Sequence, residues 1–164
     1  MSNYRKIVLS LGSNIEPMQG NIEMAIQLLE KQLDSVIQKS SFYQSEAWGD
    51  GELDDFVNVV IAFDTDFSSE KLQSVCQNIE MELGRKRTSA ITNRTIDIDI
   101  LFIDDEIIDT STLQVPHPRI HLRNFVLIPC MEIMGDFVHP TLNKNIEELY
   151  LECKDDKDVI LMEK

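Results

Sequence analysis

Alternating hydrophobic runs and 3.6-residue apolar stripes follow one another along this 164-residue chain in the order strand, helix, strand, strand, helix, strand. That order predicts an α+β fold, a ferredoxin-like βαββαβ sandwich whose mostly antiparallel sheet carries helices packed on one face, plus C-terminal additions. Three observations carry the prediction. Val57, Val59, Ile61 and Phe63 alternate within FVNVVIAFDTD, and Ile96, Ile98 and Ile100 alternate within TIDIDILFID. Two helix-period stripes separate these runs from each other and from an N-terminal strand. One core suits a chain of this length, burying about two-thirds of its unfolded surface, so a single domain over 1–164 is expected.

IVLSLG places Ile7, Leu9 and Leu11 on one face and stops at Gly12-Ser13-Asn14, which reads as a strand ending in a turn. From Pro17 to Leu33, apolar Ile22, Ile26, Leu29 and Leu33 recur at helical spacing, with Pro17 suited to the first turn. Val36 to Phe42 is a weaker strand candidate, and YQSEAWGDGELDD, with neither period, reads as a loop. Phe67-Ser68-Ser69-Glu70 opens a second helix striped by Leu72, Val75, Ile79 and Leu83 and stopped by Gly84. Arg85 to Arg94 carries four cations without periodicity and reads as a basic loop. After the TIDIDILFID strand, DDEIIDTSTLQ reads as a turn and an irregular piece. Pro116 and Pro118 delay any helix until NFVLIPCMEIM. A short helix near Asn145 to Leu151 and an acidic tail complete the chain.

A formal net charge of −14 argues against non-specific nucleic-acid binding, which needs a surplus of Lys and Arg. Any polyanion bound here requires a local basic site. Cys76, Cys130 and Cys153 are odd in number, far apart and without CxxC spacing, as expected of thiols in a reducing compartment. The N-terminal apolar run is too short for a signal segment or a membrane span, so a cytoplasmic protein without membrane association is expected.

Chemistry concentrates in RTIDIDIL, residues 94–101. Strand alternation sends Ile96, Ile98 and Ile100 into the core and projects Asp97 and Asp99 together from the other face, their Cα atoms about 6.5–7 Å apart. Hard carboxylate oxygens on a rigid strand suit Mg²⁺, which keeps several waters and completes its shell with substrate phosphates. A solvated strand face accounts for two alternating acids equally well. Arg94 before the pair and Arg85, Lys86 and Arg87 upstream favour phosphoryl transfer, which sets metals on one side of the phosphates and arginines on the other. Favourable charge at a helix C-terminus explains Arg85 to Arg87 but leaves Arg94 unexplained. No G-x-x-x-x-G-K-S/T loop, kinase glycine loop or nucleophile elbow is present. His117 and His121 have the spacing of a helical zinc pair, but the prolines deny them the helix, and His121 and His139 are given surface or supporting roles.

Four motifs resemble those of the 6-hydroxymethyl-7,8-dihydropterin pyrophosphokinase family, in the same order over nearly the whole chain. They are LGSN at Leu11 to Asn14; SSFYQSEAWG with DFVN; GRKR through RTIDIDIL; and VPHPRIHLRNFVLIP at Val115 to Pro129. The resemblance implies a single pyrophosphokinase domain, ATP as pyrophosphoryl donor, two Mg²⁺ ions and AMP as second product, on the way to folate. Asp97 and Asp99 stand at the family's metal ligands, and Arg85 and Arg94 at its loop arginines. Gln77, Arg87, His117 and Arg123 match ATP-contacting positions. Phe56 and Phe125 match the aromatic pair that sandwiches the pterin ring, Asn58 the amide that reads its polar edge, and Ser45 and Trp48 loop positions whose backbone meets the same edge. Partners are then small molecules only, with a monomer favoured over an obligate oligomer. The chain departs from the family just before Arg94, where Ile91, Thr92 and Asn93 replace the usual aromatic, Gly and Pro and the loop is one residue shorter.

The expected reaction is in-line attack of the pterin hydroxyl on the β-phosphorus of ATP. A nucleotidyltransferase or cyclase attacking the α-phosphorus would release pyrophosphate instead. A non-catalytic ligand-binding module of the same fold would yield no AMP.

Overall fold

The structure, a computed structural model, describes residues 3–33, 35–46, 54–84 and 93–162. Its frame is an antiparallel sheet built from β1 (Arg5–Ser13), β2 (Gln38–Lys39), β3 (Tyr43–Ser45), β4 (Phe56–Thr65), β5 (Asp97–Ile103) and β8 (Val159–Leu161). The strands lie in the order β5-β1-β4-β3-β8, with β2 pairing β4 beside that path. β6 (Ile108–Asp109) and β7 (Gln114–Val115) form a separate two-stranded hairpin.

β1 is central because both of its faces are apolar or small, and from Ile7 to Ser13 every residue is buried. Ile7, Leu9 and Leu11 join Val57, Val59, Ile61 and Phe63 of β4 and Ile96, Ile98 and Ile100 at β5 in one core. α1 (Met18–Gln32) and α2 (Ser69–Glu82) cover that core, contributing Ile22, Ala25, Ile26 and Leu29 from α1 and Leu72, Val75, Cys76 and Ile79 from α2. The stripes read from the sequence are thus the buried faces. Pro17 sits at the N-cap of α1 rather than inside its first turn. Ser68 caps α2, its Oγ accepting from Lys71 N at 3.1 Å, and Gly84 follows at φ +96°, a left-handed conformation that suits glycine.

The second face of the sheet is also covered. Val8, Val60, Ala62, Leu101 and Phe102 pack against Val126, Leu127 and Cys130 of α3 (Asn124–Met134) and Ile146 and Leu149 of α4 (Ile146–Glu152). The C-terminal additions therefore complete a second core. Asn145 forms a capping box with Glu148 at the start of α4.

Five short strands differ from the sequence reading. Tyr43–Ser45, read as loop, is strand β3, whereas only Gln38 and Lys39 of the 36–42 candidate are strand. The irregular piece after β5 contains the β6–β7 hairpin, and the acidic tail contains β8. Strands of two or three residues carry too few side chains to show a period, and their partners lie far away in sequence, as in Ser45 opposite Val159. For His139 the surface alternative is corrected: only 4% exposed, it is a structural residue whose Nδ1 accepts from Thr141 N and Leu142 N, both at 3.2 Å.

Leu9 lies fully buried at the middle of the central strand. Leu9→Ala is expected to lower stability by about 2–5 kcal/mol through lost burial and an unfilled cavity, read as a reduced urea midpoint at unchanged slope.

Candidate active site

Asp97 and Asp99 project from β5 on the face opposite Ile96, Ile98 and Ile100, as the alternation requires, and both are half-buried. The strand is held on two sides. β1 pairs with it so that Gly12 opposes Asp97 and Ser10 opposes Asp99. From the outer edge, Glu80 of α2, only 1% exposed, accepts the Ile98 N–H at 3.0 Å. That bond satisfies a backbone donor between the two acids and fixes α2 against the edge of the sheet. Arg94 donates from Nη1 to Asp97 Oδ2 at 2.8 Å, so a cation already sits on one carboxylate.

Asp99 lines a cavity of about 660 Å³ that opens at the β5 edge between α2, the turn joining β6 to β7, and residues 117–119. Gln77 and His117 line it too, which brings together three residues expected to serve one ligand. The backbone N–H of His117 bonds Leu101 O at 3.1 Å, and its Nδ1 accepts from Arg119 N at 3.1 Å, leaving Nε2 as the donor of a neutral ring. Burial, reinforced by Arg123 and Arg119 and opposed by Asp97, pushes the His117 pKa down to about 4. Burial also lowers the pKa of Arg123, against the pull of Asp99. Its guanidinium lies 5.5 Å from the centroid of the Phe125 ring, within cation–π range.

On the other side of β1 the strand register sets Gly12 opposite Asn58. Asn58, 3% exposed, donates from Nδ2 to Ser45 Oγ at 2.7 Å, so Ser45 contributes a side-chain contact beyond the backbone role implied for it. A Cβ on Gly12 would meet Asn58 Oδ1 at 2.8 Å and the Phe56 ring at 3.5 Å. Only glycine leaves room for that amide across β1. Phe56 begins β4 and Phe125 is the second residue of α3, both half-buried. Trp48, Arg85 and Arg87 lie outside the described residues.

Asn14 ties the segments around this end of the sheet. Its N–H bonds Arg94 O at 3.1 Å, its Oδ1 accepts Arg94 N at 2.6 Å, and its Nδ2 donates to Asn93 Oδ1 at 2.8 Å and Asp54 O at 3.2 Å. Asn93, which departs from the usual proline, also donates to Asp54 Oδ2 at 2.9 Å, a side-chain bond proline cannot make. Sequence reasoning missed Glu80, Gly12 and Asn14 as site residues. Glu80 had a signal, since it falls four residues after Cys76 on the buried face of α2. Gly12 and Asn14 lie in the LGSN motif and its turn, which carried the resemblance without giving either residue a role.

Comparison with known proteins gives a consistent result. A family model described as 7,8-dihydro-6-hydroxymethylpterin-pyrophosphokinase (HPPK) matches residues 8–135. The chain is 38% identical over 143 residues to the 2-amino-4-hydroxy-6-hydroxymethyldihydropteridine pyrophosphokinase of Aquifex aeolicus, covering 87% of this chain and 88% of that one. It is 35% identical over 154 residues to the protein of the same name from Haemophilus influenzae, covering 93% and 96%. A crystal structure of wild-type Plasmodium falciparum HPPK-DHPS with pteroate superposes with a TM-score of 0.72 at 18% identity, covering 91% of this chain. The present chain spans 42% of that longer one, and at such identity the likeness shows the fold alone.

His117 provides a pH test. Its folded pKa, about 4, lies below the ordinary 6.5, so the unfolded chain takes up the proton first as pH falls. Its contribution to stability is present above pH 6.5 and lost as pH drops toward 4. Histidine NMR should show the His117 ring, assigned by its loss in His117→Ala, still neutral at pH 5.5, and His117→Ala should flatten the dependence of stability on pH between 6.5 and 4.

Proposed function

The chain belongs to the 7,8-dihydro-6-hydroxymethylpterin-pyrophosphokinase family, and from that premise we propose how its residues divide the transfer of pyrophosphate from ATP to 6-hydroxymethyl-7,8-dihydropterin. It is an ATP-dependent diphosphokinase of folate synthesis. The element order, with β1 and β4 at the centre and β5 and β3 outside them, is read as a ferredoxin-like sandwich within one pyrophosphokinase domain over 1–164. No helix of the described residues is long and apolar enough to cross a membrane. The reading takes the chain as a cytoplasmic monomer that handles small molecules.

One observation carries the reading: Gly12 has Asn58 on one flank and Asp97 on the other. Adjacent strands lie about 4.8 Å apart, so the two Cα atoms are about 10 Å apart across β1. That distance accommodates a bicyclic ring read at one end by an amide while its hydroxymethyl arm reaches the carboxylates. Asn58 and Ser45 form the reader, Phe56 and Phe125 the aromatic walls, and Trp48 a contact from the loop before β4.

Two Mg²⁺ ions are assigned to Asp97 and Asp99. The donor set fits, because both are hard carboxylate ligands on one face, and Asp99 opens onto the cavity assigned to the nucleotide. Mg²⁺ held by two carboxylates would take the rest of its shell from phosphates and water. Bound there, Mg²⁺ supplies charge neutralisation and Lewis acidity to the triphosphate.

The chain's own residues orient the attack. Gln77 and neutral His117 contact ATP from the cavity walls, and Arg123 places a guanidinium beside the acids. Arg94, now on Asp97, is available to exchange that carboxylate for phosphate oxygens, joined by Arg85 and Arg87. The pterin hydroxyl then loses its proton to solvent as its oxygen bonds to the β-phosphorus, and the bond from that phosphorus to the α–β bridging oxygen breaks, so that AMP leaves with the oxygen.

Incubation with Mg²⁺-ATP and the pterin should yield AMP and an acceptor heavier by a diphosphoryl group in mass spectra. Released pyrophosphate without AMP would overturn the reading. Asp97→Asn is expected to lower kcat by about a thousandfold or more while leaving the thermal midpoint within a few degrees. Asn58→Ala should raise KM for the pterin by about tenfold to a hundredfold, with KM for ATP unchanged.

A further inference from the structure

Residues 153–162 lie beyond the stretch that the family model matches, yet they join both sides of the cleft assigned to the pterin. The first junction is the start of α3. Arg123 occupies the N-cap position and makes no side-chain cap, and the opening N–H groups of the helix need acceptors from elsewhere. Asp155, 31 residues downstream, provides one. Its Oδ2 accepts the Asn124 N–H at 2.9 Å, and its backbone carbonyl accepts Asn124 Nδ2 at 3.0 Å. A carboxylate at this end of a helix is also favoured by the helix dipole. Phe125 is the next residue.

The second junction is the sheet. Asp155 Oδ1 accepts Lys157 N at 3.0 Å, turning the chain into β8. β8 then pairs antiparallel with β3, setting Val159 opposite Ser45 and Leu161 opposite Tyr43, and Met162 N closes on Phe42 O at 3.0 Å. Ser45 is the residue whose hydroxyl receives the Asn58 amide. One segment of about ten residues thus fixes the helix end that bears one aromatic wall and the strand that orients the edge reader.

We propose that residues 153–162 act as a strap that sets the spacing of the pterin cleft, with Asp155 as its positioning residue. The strap leaves the nucleotide side alone, since none of its residues lines the cavity shared by Gln77, Asp99 and His117. Arg123 is held from the preceding 3-10 turn, through its N–H to Ile120 O. This inference rests on the assignment of Phe125, Ser45 and Asn58 to the pterin.

The test uses the full chain with Asp155→Ala, Asp155→Asn and Phe125→Ala, assayed by AMP formation with each substrate varied in turn. Asp155→Ala should raise KM for the pterin by about tenfold, the factor a lost helix cap carries into an equilibrium, with KM for ATP within about twofold of the parent. Asp155→Asn keeps an oxygen able to cap and should recover most of the loss. A purely structural role would lower the thermal midpoint without separating the two KM values. If Asp155→Ala does not fold, Asn124→Ala, which removes the Nδ2 donor to the Asp155 carbonyl, decides by the same separation. Unchanged pterin KM in Asp155→Ala, or in Asn124→Ala where that variant decides, or equal rises for both substrates, would overturn the strap while a raised KM in Phe125→Ala upholds the cleft. An unchanged pterin KM in Phe125→Ala would overturn the cleft and the strap together.

Discussion

β1 exchanges backbone hydrogen bonds with β4 on one side and β5 on the other, and at Gly12 these two ladders bring Asn58 and Asp97 into one row across the sheet. The row tolerates no slip. A shift of one residue would turn Ile7, Leu9 and Leu11 out of the core and exchange the faces of every facing pair. The same burial that stabilises the fold therefore sets the distance between an amide that can read a flat heterocycle and a carboxylate that can hold a metal. Gly12 is the point of least bulk in the row, and the Asn58 amide uses the space a Cβ would fill.

Charge is the second constraint. A chain of net charge −14 that accepts a triphosphate must gather cations where the phosphates lie. Arg94, Arg119 and Arg123 lie around Asp97, Asp99 and His117, and the lowered pKa values of His117 and Arg123 have burial as their leading cause and crowded positive charge as a contributor. The Arg94–Asp97 pair balances both groups. On the proposed reading, exchange of that carboxylate for phosphate oxygens would leave Asp97 to a metal ion without stranding either charge, and so would avoid the cost of an unpaired ion in a half-buried site.

Much of this was legible in the sequence, for physical reasons. β1, β4, β5, α1 and α2 are long enough for hydrophobic period to identify them, and the alternation at Ile96, Asp97, Ile98 and Asp99 gave the facing of the acids directly. β3, β6, β7 and β8 were not legible, because a two- or three-residue strand is defined by a distant partner rather than by its own pattern. The Asn58 amide reaches the Ser45 hydroxyl only through the pairing of β3 with β4, and Asp155, a carboxylate in a loop, gives no local sign of the helix donor it will meet. Glu80 was within reach, since a charged residue on the buried stripe of a helix demands a partner, here the Ile98 N–H. The role of Asn93 came into view only with Asp54 and Asn14 beside it.

Manganese offers the most direct check on the row across β1. Crystals grown with Mn²⁺, a non-hydrolysable ATP analogue and the pterin, and measured at the manganese absorption edge, should place the metal signal between the carboxylates of Asp97 and Asp99, with the pterin edge against Asn58. Manganese bound elsewhere, with Arg94 still closed on Asp97 and the pterin away from Asn58, would contradict it.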